Sequence, residues 1–143
     1  MLRIPQSALE QVRAHGEQAY PQECCGVLLG ESVAGVRLVR EVARCTNACQ
    51  QSPASRYRIE PGELVRLQRA ARERRQQIVG FYHSHPDHPA HWSPADLAEA
   101  NWPDCSYLIT AVERGRATQT RSFVLADVAD DPRFEEEEVV TIA

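Results

Sequence analysis

The sequence predicts one α/β domain over residues 1–143, a curved mixed β-sheet flanked by helices. Three observations carry that expectation. Strand-like and helix-like segments interleave without a strict βαβ rhythm, the last third is strand-rich, and no repeat or low-complexity linker divides the chain. Hydrophobic residues at 43% and charged residues at 25% suit an ordinary globular domain with one core.

Ser7-Ala8-Leu9-Glu10 reads as a capping box opening a helix that runs to about Tyr20 and is stopped by Pro21. Its apolar positions Leu9, Val12 and Ala19 are loosely periodic. The apolar run 24–30, bounded by glycine, reads as a buried strand. Residues 36–43 read as its neighbour, with Val36, Leu38 and Val42 on one face. Residues 45–55 have loop composition. Tyr57 and Ile59 read as a brief strand before a helix from Glu60-Pro61 to about Gln76, striped by Leu64, Leu67 and Ala71. Residues 78–83 form a strand that ends on a histidine. Ser93 starts a third helix, which stops before Pro103, and 106–112, 118–125 and 139–142 are further strands. Residues 135–138 read as a solvated edge or tail whose charge discourages strand-to-strand association.

The gross numbers exclude several classes. A net charge of −4 argues against nucleic acid, which needs a basic surface. No run of about 18 apolar residues suggests a membrane span. Met1-Leu2-Arg3-Ile4-Pro5 opens no signal-peptide-like stretch, so the expected location is the cytoplasm. Five cysteines, with Cys24 and Cys25 adjacent, do not make a secreted disulfide framework. Cys45 and Cys49 lack a second pair with zinc-site spacing and read as small hydrophobes. Arg66, Arg69, Arg72, Arg74 and Arg75 read as the wet face of the second helix, with docking of an acidic protein as the alternative.

The chemistry concentrates at His83-Ser84-His85-Pro86 and Ser93-Pro94-Ala95-Asp96. Histidines two apart on an extended backbone project to one side, and Ser84 to the other. The second tetrapeptide opens a helix with serine at the N-cap, proline first and a carboxylate third. Brought together, the two pieces offer a metal two nitrogens and one oxygen. Zinc with three such ligands keeps a fourth position for water, the pattern of a catalytic centre. Each piece alone has a plainer reading: a capping box, surface or core histidines, and Glu23 as a solvated carboxylate. Their joint occurrence points to a metal site. His88 and His91 read as loop residues, with a competing or second ligand as the alternative. Trp92 either walls the cleft or packs. Cys24 as a nucleophile is opposed by its apolar run. A zinc deaminase would need a Pro-Cys-x-x-Cys motif that Asp104-Cys105 does not supply.

The order Glu23, His83-x-His85, seven residues (86–92), Ser93, two residues, Asp96 resembles, without gaps, the motif of the JAMM or MPN-plus metalloproteases. Pro21-Gln22-Glu23-Cys24-Cys25-Gly26 is similar to the glutamate-bearing turn of bacterial members, and Tyr107-Leu108-Ile109 to their following strand. The likeness runs to about residue 126. It implies the JAMM/MPN fold, which is cytidine-deaminase-like. It implies one catalytic Zn²⁺ on His83, His85 and Asp96, Glu23 as general base, and Ser93 as donor to the developing oxyanion. It also implies an (iso)peptidase acting after the C-terminal Gly-Gly of a ubiquitin-fold sulfur-carrier protein. The product is an amino acid such as cysteine or a released protein, in cysteine or cofactor sulfur metabolism. Eukaryotic relatives use long insertions to recognise ubiquitin, for which this chain has no room. A Gly-Gly tail enters extended, pairing with a strand edge beside the metal. The alternative is a non-catalytic scaffold of the same fold, which the complete ligand set opposes. Which carrier is cut, and whether the protein forms a homodimer, stay open.

Overall fold

The computed structural model describes residues 1–128 and 131–143. The elements in order are β1 (Leu2–Pro5), α1 (Gln6–Ala19), β2 (Cys25–Val33), β3 (Val36–Cys45), α2 (Pro61–Glu73), β4 (Gln77–Pro86), α3 (Pro94–Glu99), β5 (Ser106–Glu113), β6 (Arg116–Val128), β7 (Asp131–Glu137) and β8 (Val139–Ile142). Among the described residues, eight strands join one curled sheet in the order β7-β6-β5-β4-β2-β3-β1-β8. The pairs β4–β5, β1–β3 and β1–β8 are parallel and the others antiparallel, so the sheet is mixed as predicted.

Alternation along the strands divides the core into two layers. Leu28, Val39, Tyr82 and Leu108 meet Ala8 and Val12 of α1, and Leu2 and Ile4 complete that layer. Val27, Phe81, Tyr107 and Ile109 face the other way, towards Leu64, Leu67 and Ala71 of α2 and Leu97 of α3. The α1 helix lies close to the sheet. A Cβ on Gly16 would come within 3.0 Å of Val112 Cγ2 and 3.3 Å of Ser84 Cβ, so glycine is what permits the approach. Beside it the buried Tyr82 hydroxyl shares a 2.8 Å hydrogen bond with His15 Nδ1.

Several elements differ from the sequence expectation, each for a local reason. The first helix starts at Gln6 with Pro5 at its N-cap, and the capping box at Ser7 does not form. The cause is β1, which pairs with β3 and β8 and turns directly into the helix. In β3 the ladder skips Arg40, a bulge that shifts the alternation by one residue. Val39 and Val42 therefore share the α1 face, in place of Val36, Leu38 and Val42. Tyr57 and Ile59 form no strand. The third helix, by contrast, stops before Pro103 as expected, ending at Glu99 ahead of Trp102. Its N–H donates to the Tyr107 hydroxyl at 3.0 Å, and its ring lies edge-on to Phe81. The acidic stretch near residue 135 lies on a sheet edge, the first of its two expected readings, and belongs mostly to β7, where Phe134 is buried, Glu136 pairs with Arg121 and Glu137 bonds to Ser122. Among the described residues no helix is long and apolar enough to cross a membrane.

Candidate metal centre

Alternation along β4 puts His83 and His85 on the α2–α3 side of the sheet and Ser84 against Gly16 of α1. Helix α3 then begins beside the strand's end. Its capping box forms as predicted: Ser93 Oγ accepts from Asp96 N at 3.1 Å, and Asp96 Oδ2 accepts from Ser93 N at 2.9 Å. That exchange fixes the carboxylate against the histidines. His83 Nε2 lies 3.2 Å from Asp96 Oδ1, His85 Nε2 lies 3.0 Å from Oδ2, and the two Nε2 atoms are 3.1 Å apart.

The donor set fits a zinc ion. All three side chains are buried. Two imidazole nitrogens and a carboxylate turned to one interior point are costly unless a cation joins them. Tetrahedral ligands at ~2.0–2.1 Å from zinc sit about 3.3–3.4 Å from one another; the two Nε2 atoms are 3.1 Å apart, and each already lies beside one oxygen of the carboxylate. Burial pushes His83 below the ordinary histidine value, favouring the neutral imidazole that a metal ligand must be. Burial opposes charge on Asp96, yet hydrogen bonds from both histidines hold its carboxyl well below the usual range. Burial likewise opposes charge on His85, but Asp96 and the Pro89 carbonyl raise it above the ordinary value. That carbonyl accepts from His85 Nδ1 at 2.9 Å, which aims Nε2 at the cluster. Tyr57 lies flat on His83, with centroids 4.4 Å apart and planes 22° from parallel.

Glu23 reaches the same place from the turn before β2. Its N–H donates to Pro53 O at 2.8 Å, and its carbonyl accepts from Asn47 Nδ2 at 3.2 Å. The next residue is fastened to the histidine strand. Cys24 N donates to Ser84 Oγ at 2.8 Å, and Ser84 N donates to Cys24 O at 3.2 Å. Glu23 is 4% exposed, and its Oε1 has no hydrogen-bond partner among the described residues. It lines a cleft of about 360 Å³ with Ser55, His85, His88, His91 and Ser93. Burial lifts its pKa to about 8, with His85 pulling it down and Asp96 pushing it up. A carboxyl that titrates near neutrality can both take and return a proton.

The structure thus joins His83, His85 and Asp96 in one buried group and sets Glu23 and Ser93 in the cleft that His85 lines. His88 and His91 line it but lie outside the His83–His85–Asp96 group. Trp92 packs edge-on against Phe134, with ring centroids 5.7 Å apart. Cys24 is buried, and burial pushes its thiol up to about 11, the setting of an inert cysteine. Three contributors are absent from the sequence reading: Tyr57, Asn47 and the Pro89 carbonyl. Asn47 carries the one available signal, since asparagine at a loop's start tends to bond its own backbone.

Residues 5–126 match the family described as prokaryotic homologs of the JAB domain. A Haloferax volcanii protein named Desampylase is 33% identical over 121 residues, which span 82% of this chain and 84% of that one. A Thermus thermophilus protein named probable TtuB-protein conjugate cleaving protease is 34% identical over 102 residues, 71% of this chain and 65% of that one. The CysO-cysteine peptidase of Mycobacterium tuberculosis is 32% identical over 121 residues, 83% and 80% of the two chains. The solution structure of a Desulfitobacterium hafniense protein superposes with a TM-score of 0.85 at 31% identity, covering 99% of this chain and 93% of that one.

Proposed function

We propose a function from one premise: the chain belongs to the family of prokaryotic homologues of the JAB domain. It is a zinc-dependent peptidase or isopeptidase that cuts the amide after the terminal Gly-Gly of a ubiquitin-fold sulfur-carrier protein. The released group is an amino acid such as cysteine or a conjugated protein. The observation that carries this reading is a buried group of two imidazoles and one carboxylate, His83, His85 and Asp96, with His85 lining a cleft into which a second carboxylate, Glu23, also faces. Relatives named for cleaving a TtuB-protein conjugate and for acting on CysO-cysteine support the substrate class.

His83, His85 and Asp96 would hold the ion, which when bound supplies Lewis acidity. Glu23 takes a proton from the attacking water and returns it to the leaving nitrogen. The water oxygen bonds to the carbonyl carbon, the C–N bond breaks, and a carboxylate and an amine result. Ser93 Oγ already accepts from Asp96 N, so its single hydrogen is left to donate to the carbonyl oxygen as charge gathers there.

The test is to incubate zinc-loaded protein with ubiquitin-fold carriers extended by one residue beyond Gly-Gly, and with lysine-linked carrier conjugates, and to weigh the products. Loss of the extra residue is the expected result. If every extension and every conjugate survives, the hydrolase reading is wrong and the scaffold alternative takes its place.

A further inference from the structure

Five hydrogen bonds meet on one half-buried carboxamide, Asn47, just after β3. Its Nδ2 donates to Arg56 O at 3.0 Å, Glu23 O at 3.2 Å and Pro53 O at 3.4 Å. Its Oδ1 accepts from Cys49 N at 3.0 Å and Arg58 N at 3.1 Å. A carboxamide has two hydrogens and two acceptor lone pairs, so this one is fully used, with one hydrogen shared.

Four of the partners lie in the loop at 49–58, and the fifth is the backbone of Glu23. The loop closes on itself through Ala48 N to Arg58 O at 2.8 Å, and on Glu23 through Glu23 N to Pro53 O at 2.8 Å. The same loop sets the Tyr57 ring on His83 and places Ser55 beside Glu23 in the cleft. No strand ladder orders this segment, so the asparagine takes that part. At Glu23, Oε1 has no hydrogen-bond partner among the described residues, whereas the backbone is held at both its N–H and its carbonyl.

We propose that Asn47 is a positioning residue of the reaction. It does not line the cleft; it holds the Glu23 backbone, and with it the carboxylate, at a fixed depth beside the metal ligands. This rests on the reading of Glu23 as general base.

Asn47→Asp is the sharpest test. It keeps the two accepted bonds and removes all three donated ones. Misplacement of a catalytic group by about 1 Å costs on the order of 100-fold in rate, so kcat on an extended carrier should fall at least ~10-fold. KM should stay within about threefold and zinc content should match wild type. The loss should vanish on the slow residual rate of a Glu23→Gln background, because the positioned group is gone. Wild-type kcat in Asn47→Asp, or the same fold-loss in both backgrounds, overturns the inference. Should Asn47→Asp not fold, Asn47→Ser is read through the same cycle. Wild-type turnover by Glu23→Gln alone would instead overturn the general-base reading on which it rests.

Discussion

Replacing Ser84 with alanine separates the two jobs of the histidine strand. Ser84 is fully buried, and its Oγ is the acceptor for Cys24 N at 2.8 Å. Alanine keeps the Cβ beside Gly16 but leaves the buried Cys24 N–H without that acceptor. An orphaned buried donor costs about 1–3 kcal/mol. Each kcal/mol moves the Tm of a chain near this size by roughly 2–4 °C, so a fall of about 2–12 °C is expected. His83 and His85 are untouched, so zinc should still bind at one ion per chain. Turnover should drop, because Cys24 adjoins Glu23 and its fastening is gone. Circular dichroism melting of the zinc-loaded variant, with zinc content measured alongside, reads both effects. Ser84→Thr is the contrast: it keeps the acceptor but adds a methyl where α1 already sits close, an overpacking cost of about 1–3 kcal/mol. A Ser84→Ala protein that melts with wild type would refute the fastening of Glu23's neighbour through this serine.

Three further outcomes follow from the same contacts. Tyr57→Ala should weaken zinc binding about 10-fold in a chelator competition, while Tyr57→Phe, which keeps the stacked ring, should stay near wild type; equal affinities in both would deny the ring a supporting role. Replacing His88 and His91 together with alanine should leave zinc content unchanged, since neither joins the ligand group, and loss of the ion would assign one of them as a ligand. Burial, helped by the charge of Arg44, lowers the His15 pKa from 6.5 to about 4. The unfolded chain thus binds this proton more readily, and stability falls as pH drops from about 6.5 towards 4, by at most ~1.4 kcal/mol per pH unit. His15→Gln should melt with a flatter pH dependence over that window, and identical slopes would clear His15.

The His83–His85–Asp96 group was legible because its spacing is local. Period two on a strand fixes His83 and His85, and the N-cap and third helical positions fix Ser93 and Asp96. Glu23 has no such local rule; only its likeness to a family motif connected it, and the antiparallel register of β2 on β4 is what brings it in. Asn47 and Tyr57 stayed hidden for a related reason. Side-chain bonds to distant backbone and ring stacking leave no periodic trace in a sequence. In the fold, β1 is four residues long, too short to show alternation. The acidic residues of β7 masked a strand whose single inward anchor is Phe134. Ser7-Ala8-Leu9-Glu10 had the right letters for a capping box, but the strand-to-helix turn placed Ser7 inside the first turn.

Zinc content and hydrolysis measured together on wild type, Glu23→Gln and His83→Ala test the central claim most directly. Wild type should carry one ion per chain and cut an extended carrier, Glu23→Gln should keep the ion and lose cleavage, and His83→Ala should lose both. Full zinc content and full cleavage in His83→Ala would contradict a hydrolase built on this group.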